Sequence, residues 1–457
     1  MDATRRFPPA DGGAALAALQ AAVAGSIAAA LPGGGRVAVA LSGGRDSVAL
    51  LDAALAAAPS ANCTIVAFHV DHGLSTNAAA WARFCGALCA ARGIACETRR
   101  VVVERLPRTS VEAAARRARY EALAALAREH AIAAVLLAHH ADDQAETTLL
   151  QLLRGAGPRG LAAMPAARVD EGVWWLRPLL ALPRSCIDAY VAARALRHVD
   201  DESNADTRYR RNALRSAVVP ALRTLAPGYP ATLARAAELQ ADAATLLDDL
   251  ARLDAGHAYD GRTLDCTLFA TLDARRSANV LRWFLREQRL PAPSRARLAE
   301  ALRQLQRQGD DSRIAIGHAG TVLGVHRRRL VVHRRPLEPY SVAWDNAERW
   351  VMSHGTLSFA IVAGAGVAMR HVAATRVTVR SGVDGERLRM PGRHVRRNVA
   401  DLLREAGIPA WDRQAVPRIY CDDVLAAVTA VGADAAFAAE PGEPGGAWQW
   451  QPNAGCT

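Results

Sequence analysis

Residues 41–51, LSGGRDSVALL, set two glycines, two serines and a carboxylate between the apolar run RVAVA and an Ala/Leu-rich stretch that reads as a helix. Gly43 and Gly44 allow a tight turn and a close backbone approach to an anion. Ser42 and Ser47 add hydroxyl donors, and a helix starting near Arg45 aims its positive end at the same point. Asp46 would repel a phosphate unless a cation bridged them, and Mg²⁺ among phosphate oxygens is such a bridge. The stretch lacks the Lys of Gly-x-x-x-x-Gly-Lys-Ser/Thr and the spacing of Gly-x-Gly-x-x-Gly, so it is a phosphate loop of another kind. A capped helix after a Gly turn is the structural alternative; the whole hexapeptide following a strand favours the phosphate.

A second dense cluster is AHHADDQAETTLLQLLRGAGPRGL, residues 138–161. Asp142, Asp143 and Glu146 fall in the first turn of a helix whose apolar face carries Leu149, Leu150, Leu152 and Leu153. Asp143-x-x-Glu146 also reads as a capping-box-like start, and acids there suit the helix dipole. His139 and His140 just upstream, with Arg154-Gly155 closing the helix, favour a site that holds Mg²⁺ or an amine-bearing substrate. Other charged groups read as surface by default: Glu112, Arg116, Arg119 and Tyr120 at near-helical spacing, and Arg208, Arg210, Arg211 and Arg215 in DDESNADTRYRRNALR. His69 and His72 read equally well as packing residues at a strand end. Nothing resembles a Cys–His or Ser–His–Asp nucleophile, which leaves metal-assisted activation by ATP rather than covalent catalysis.

These residues need elements to hold them. From residue 36 to about 180 the apolar runs RVAVAL, CTIVAFHV, ACETRRVVV, AAVLLAHH and VWWLRPL alternate with helical stretches. That alternation predicts βαβ units and a parallel sheet covered on both faces, with ligands beyond the carboxyl ends of the strands. SGGRDS, VDHG and HHADDQAE each follow a strand directly. Residues 228–308 read as helices, followed by the strand candidates SRIAIGHAG, TVLGVHR and RLVVHRR and the link RPLEPYS. The expected division is 1–222, 223–336 and 337–457, with the tail from Glu440 poorly ordered.

Net charge is +11 with a pI near 9.8, which favours an anionic partner such as RNA. All 56 basic residues are Arg, so no side-chain amine is available for Schiff-base chemistry and every cationic contact is a guanidinium. No two of Cys63, Cys85, Cys89, Cys96, Cys186, Cys266, Cys421 and Cys456 have C-x-x-C spacing. This argues against a zinc knuckle, a cluster or a redox dithiol and fits reduced thiols in a cytoplasmic protein. In residues 14–31 Leu16, Leu19, Val23, Ile27 and Leu31 recur every three or four positions, as in a packed amphipathic helix rather than a signal peptide or membrane span.

With SGGRDS, VDHGL and HHADDQAET in this order, the chain resembles the N-type ATP pyrophosphatases, the PP-loop family. EAAARRARY, RGAGPRGLAAM, RPLL and DDESNADTRYRRNALR narrow the resemblance to its tRNA(Ile)-lysidine synthetase branch, and it continues through RSGVDGERLRMPGRHVRRNVADLLREAGIPAWDRQAVPRIY. It implies an N-terminal parallel-sheet ATP pyrophosphatase domain, a mainly helical tRNA-binding middle domain and a small α+β C-terminal tRNA-binding domain. The implied reaction is that of a carbon–nitrogen ligase with ATP and Mg²⁺. ATP adenylates the wobble cytidine of a CAU-anticodon tRNA(Ile), and free L-lysine then displaces AMP to form lysidine.

The residues that match are Ser42, Gly43, Gly44, Arg45, Asp46 and Ser47 for ATP, with His69 beside the nucleotide and Asp46 toward Mg²⁺. Asp143 and Glu146 match the lysine site, and Arg116 and Arg211 match family arginines suited to phosphates or to the adenylated base. Between Arg376 and Arg418 ten Arg oppose five acids, and Arg389, Arg393, Arg396, Arg397 and Arg413 are the expected tRNA contacts. No membrane partner is implied, and a homodimer is compatible. The chain departs from the family in having Arg for Lys around VRRNVADLL and Ser75 where Arg often follows HGL. Rival readings are a tRNA 2-thiocytidine-type sulfurtransferase, which would need C-x-x-C cysteines, a GMP- or NAD-synthetase-type ligase, and a non-catalytic tRNA-binding protein.

Overall fold

The computed structural model describes residues 12–73, 75, 77–103, 111–199, 210–306, 315–318, 321–334, 339–352 and 355–452. The chain divides into two units, 1–246 and 247–457. Arg208, the acids of 200–206 and the side chain of Glu112, all singled out in the sequence, lie outside the described residues.

In the first unit, Val37, Val39 and Leu41 are buried on one face of a strand, and Ala38 and Ala40 on the other. This is β1 (Gly35–Ala40), and β2 (Cys63–Asp71) and β4 (Ala134–Leu136) are buried on both faces in the same way. Near-continuous apolar runs are what a central parallel strand requires. With β3 (Cys96–Arg100), β5 (Ala167–Asp170) and β6 (Val173–Leu176) the order is β3-β2-β1-β4-β6-β5, parallel except for the β5–β6 hairpin. Strand β5 has no apolar signal in the sequence because all four of its residues are exposed.

Helices α1 (Gly12–Ala30), α2 (Arg45–Ala57), α3 (Ala78–Ala90) and α7 (Arg184–Ala193) build one face, and α4 (Val111–Glu129) covers the other. Among the described residues α1 alone is long and apolar enough to cross a membrane, yet Ala15, Leu19, Val23 and Ile27 are buried in the core shared with α2 and α7. Asp52, buried in α2, accepts the Tyr190 hydroxyl at 2.8 Å and Arg194 Nε at 2.9 Å, so its burial is compensated. Helices α5 (Ala141–Leu152), α6 (Pro158–Leu161), α8 (Arg210–Ala217), α9 (Val219–Leu225) and α10 (Tyr229–Ala255) complete the helices of this part of the chain.

In the second unit α11 (Leu268–Thr271), α12 (Ala274–Glu287) and α13 (Arg295–Gln306) pack on an antiparallel sheet. Its order is β7-β10-β9-β8, from β7 (Leu264–Asp265), β8 (Ala315–His318), β9 (Thr321–His326) and β10 (Arg329–Arg334). Leu323, Val325 and Leu330 face the helices. The opposite face seats Trp411, stacked on His333 with ring centroids 4.4 Å apart. A methyl group at Gly324 would lie 2.3 Å from the Trp411 ring.

The rest of this unit holds two further sheets, β11-β15-β18-β19-β20 and β12-β13-β21-β14, and the hairpin β16-β17. The strands are β11 (Ser341–Ala343), β12 (Arg349–Met352), β13 (Gly355–Ala363), β14 (Val367–Ala368), β15 (Val377–Arg380), β16 (Arg387–Leu388), β17 (Arg397–Asn398), β18 (Arg418–Cys421), β19 (Val424–Val428), β20 (Gly432–Ala433) and β21 (Pro444–Pro452), with helices α14 (Met369–Ala374) and α15 (Val399–Glu405). The expectation of a poorly ordered tail fails for 444–452. Strand β21 pairs with β13 from Pro444 to Pro452, and Trp448, 6% exposed, packs on Phe359 and Trp344. The Pro and Gly content concealed a strand that aromatic burial holds in place.

Two measurements probe the second unit. Gly324→Val must displace Trp411 and should lower the stability of the full chain by roughly 1–3 kcal/mol, the usual range for overpacking; urea titration followed by tryptophan fluorescence reads it, and an unchanged midpoint would refute the seat. Burial lifts the Asp412 carboxyl to about 7, with its Oδ2 lacking a protein partner. The folded chain therefore keeps a proton that the unfolded chain has already released, and stability falls as pH rises from the ordinary carboxylate range to about 7. Asp412→Asn should flatten that part of the melting-temperature profile; parallel profiles would exclude it.

Candidate active site

The sheet is built outward from β1 through β2 to β3, and the chain then returns to lay β4 on the other side of β1. At such a switch point the connections leave in opposite directions and open a crevice beyond the strand ends. The loop after β1 and the start of α5 after β4 meet there, and a cleft of about 340 Å³ lies at this point.

Gly43 has φ 87°, a conformation that favours glycine, and its carbonyl accepts the Val199 N–H at 3.0 Å. Ser47 Oγ donates to Gly44 O at 2.9 Å and lies 3.1 Å from Ser42 Oγ, so the two hydroxyls brace the turn. No side chain caps α2, whose first N–H groups therefore stay available to an anion. Asp46 Oδ1 is buried without a hydrogen-bond partner, while Oδ2 lies 3.7 Å from His140 Nε2. Burial opposes ionisation of Asp46, but the nearby His140 and the charges of Arg184 and Arg45 hold its carboxyl below the usual range. Burial likewise opposes charge on His140, and Asp46, Asp143 and Asp142 together outweigh it and raise the imidazole. A carboxylate with one unpartnered oxygen beside an anion loop suits a divalent cation sharing phosphate oxygens. Among the described residues no group of three His, Cys, Asp or Glu is placed to hold a metal unaided.

Arg45 and His69 line the same cleft in braced positions. Arg45 Nη1 is 2.6 Å from Asp188 Oδ1, and His69 Nδ1 lies 2.9 Å from Leu41 O. Burial lowers His69 and favours its neutral ring. Asp142 receives the Arg184 N–H at 2.9 Å, and Gln144 exchanges two hydrogen bonds with the Met164 backbone, so the first turn of α5 also anchors the chain at Met164 and at the start of α7.

The acid pair has strong partners. Arg211 reaches Asp143 Oδ1 at 2.9 Å and Glu146 Oε2 at 2.6 Å; Arg215 reaches the same Asp143 oxygen at 3.2 Å and Glu146 Oε1 at 2.6 Å. Acids at i, i+3 on α5 meet arginines at i, i+4 on α8, and Leu214 packs on Ala145 between them. Asp143 lines the cleft with Arg215, whereas Glu146 is 4% exposed and stands behind. Arg116 lies on α4, its Nη2 3.4 Å from the Tyr120 hydroxyl.

Sequence reasoning left Arg119, Arg177, Arg184 and Arg215 without a site role. The i+4 spacing of Arg215 from Arg211 was the one signal available. In the second unit Arg393, Arg396 and Arg397 are exposed around the β16–β17 hairpin, and Arg397 is paired with Glu405. Arg389 and Arg413 are half-buried, and Arg413 Nε is spent on Ile408 O at 3.0 Å.

Glu146→Gln leaves two guanidinium groups sharing one carboxylate. A stability loss of about 2–3 kcal/mol is expected, below the full cost of breaking a buried pair because both arginines are partly exposed. Urea denaturation of the full chain measures it; a loss under about 0.5 kcal/mol would mean that α8 is held by apolar packing alone.

Comparison with known proteins gives the family of the chain. Residues 19–222 match the family model for the PP-loop domain, 264–331 that for the TilS substrate binding domain, and 377–450 that for the TilS substrate C-terminal domain. A tRNA(Ile)-lysidine synthase from Azoarcus sp. is 40% identical over 93% of this chain and 94% of its own length. One from Chromobacterium violaceum is 41% identical over 91% and 95%. A U34-tRNA thiolase structure from Methanococcus maripaludis superposes with a TM-score of 0.42 at 16% identity, over 50% of this chain and 78% of that one.

Proposed function

Because the chain belongs to the tRNA(Ile)-lysidine synthase family, whose PP-loop domain binds ATP and whose members are ligases acting on tRNA, we propose that it joins free L-lysine to C2 of the wobble cytidine of a CAU-anticodon tRNA(Ile). Cytidine O2 attacks the α-phosphorus of ATP, and the bond to pyrophosphate breaks. The lysine ε-amine, having given up a proton, then attacks C2; the C2–O2 bond breaks and AMP leaves with the oxygen. The observation that carries this reading is the meeting of an open anion loop and a buried acid pair at one switch point.

The N–H groups of Gly43, Gly44 and the first turn of α2 receive the β- and γ-phosphates, with Ser42 and Ser47 shaping the loop. Mg²⁺ held by Asp46 would neutralise charge on the departing pyrophosphate. His140 holds Asp46 in place from the start of α5. Asp143 faces the cleft; its Oδ2 accepts the His140 N–H at 3.2 Å and has a second lone pair for the incoming amine, while Glu146 acts through Arg211 and Arg215. Arg116 and Arg211 bring positive charge toward the nucleotide. The exposed arginines of the β16–β17 hairpin position RNA through its phosphates without reading sequence. The described cysteines are all free, which suits a cytoplasmic setting.

Incorporation of labelled lysine into tRNA is the direct test. We expect it to need ATP, Mg²⁺ and a CAU anticodon, and Asp46→Asn to lower adenylation by about 100-fold or more while tRNA binding persists. Sulfur transfer to the tRNA, or ATP left uncleaved, would refute the reading.

A further inference from the structure

One side of the cleft carries positive charge of which the proposed reaction uses Arg116 alone. Arg119 and His139 line the cleft. Around them, Arg116 Nη2 and Arg177 Nη2 each lie 3.4 Å from the Tyr120 hydroxyl. Arg177 is 5% exposed and is fixed by Nη1 donating to Pro165 O at 2.8 Å. Arg177 directly follows the last residue of β6, and its N–H donates to Ala166 O at 2.7 Å. Trp175 Nε1, Arg177 Nε and His139 Nδ1 are all buried without a protein hydrogen-bond partner.

Among the described residues no carboxylate pairs with Arg116, Arg119 or Arg177, in contrast to Arg211 and Arg215. Burial, then the charges of Arg116, Arg177, Arg119 and Arg211, push His139 well below its ordinary value and leave it neutral. Burial and neighbouring arginines likewise lower Arg119 and Arg177. For half-buried Arg119 and buried Arg177, having no carboxylate partner among the described residues costs free energy that an anion would recover.

Position decides which anion fits. The phosphate loop and α2 belong to one face of the sheet, and α4 with Arg116 and Arg119 to the other, so the leaving pyrophosphate has its own receptor. A polymer backbone suits exposed arginines such as Arg116, whereas Arg119 is half-buried in the cleft wall and Arg177 lies inside. The cleft also presents Asp143, a partner for an amine, so it offers opposite charges to one small zwitterion.

We propose that Arg119 holds the α-carboxylate of the amino-acid substrate, within a positive field set by Arg116 and Arg177, while Asp143 receives the ε-amine. This rests on the lysine-ligating function proposed for the cleft. Arg119 is thereby the residue that selects an amino acid over a plain diamine.

The test compares transfer of L-lysine with transfer of 1,5-diaminopentane, the same molecule without its carboxylate, to CAU-anticodon tRNA. The wild-type enzyme should prefer lysine by about two orders of magnitude in kcat/KM. Arg119→Gln should cut that preference at least about tenfold, mainly through a raised KM for lysine, and Arg119→Lys should restore part of it. A fold or nucleotide defect would lower both amines together. An unchanged ratio in Arg119→Gln, or a wild-type enzyme indifferent to the carboxylate, overturns the assignment while lysidine formation itself stands. A wild-type enzyme that transfers no lysine overturns the functional reading as well.

Discussion

Between β1 and β4 the sheet reverses the direction in which it is laid down, and two adjacent parallel strands send their continuations away from each other. Backbone that would otherwise close over the strand ends is absent there, so the turn after β1 and the first turn of α5 face a common space. Burial of both strands on both faces makes this edge rigid: Val37, Val39, Ala134 and Leu136 belong to one apolar core, and Ala38, Ala40 and Val135 to another. A loop held 3.0 Å from Val199 on one side and braced by Ser42 and Ser47 on the other can then offer fixed N–H groups to phosphate. Preorganisation of that kind, rather than any single strong contact, stabilises charge as it develops.

The same edge gathers charge in layers. Asp46 and His140 shift each other toward their ionised forms against the penalty of burial. Behind them Asp143, Glu146, Arg211 and Arg215 form a closed quartet that ties α8 to α5. Across the cleft Arg119, with Arg116 and Arg177 around it, pairs with no carboxylate among the described residues. Asp143 and Arg119 both line the cleft, so a molecule bearing both charges, as proposed for the substrate, would meet one group of each sign. The absence of Lys from the chain sharpens this, because a lysine substrate would bring into the cleft an alkylammonium that no side chain of the protein supplies.

In the second unit a different device serves. A glycine in the middle of β9 lets Trp411 lie flat on the sheet, and β21 is pinned by Trp448 and Phe359. Basic side chains at the β16–β17 hairpin remain in solvent, where phosphate contact loses little desolvation energy.

Much of this was legible in the residues. The five strand runs, the helix at Arg45, the phosphate loop and the acid-bearing start of α5 follow from apolar periodicity and from residue types local to one turn. The exposed strand β5 and the strand near the C-terminus were not legible, because one lacks an apolar pattern and the other hides it among Pro and Gly. Sequence alone also determined that any cation in the site is arginine and that no thiol pair has redox spacing. Only the tertiary structure decided which arginines are neutralised and which stand free. Arg215 and Arg119 look alike in the sequence, each on a charged helix; one meets two carboxylates from another helix and the other meets none among the described residues. Pairing of that kind is set by distances between elements far apart in the chain, and a local pattern carries no record of them.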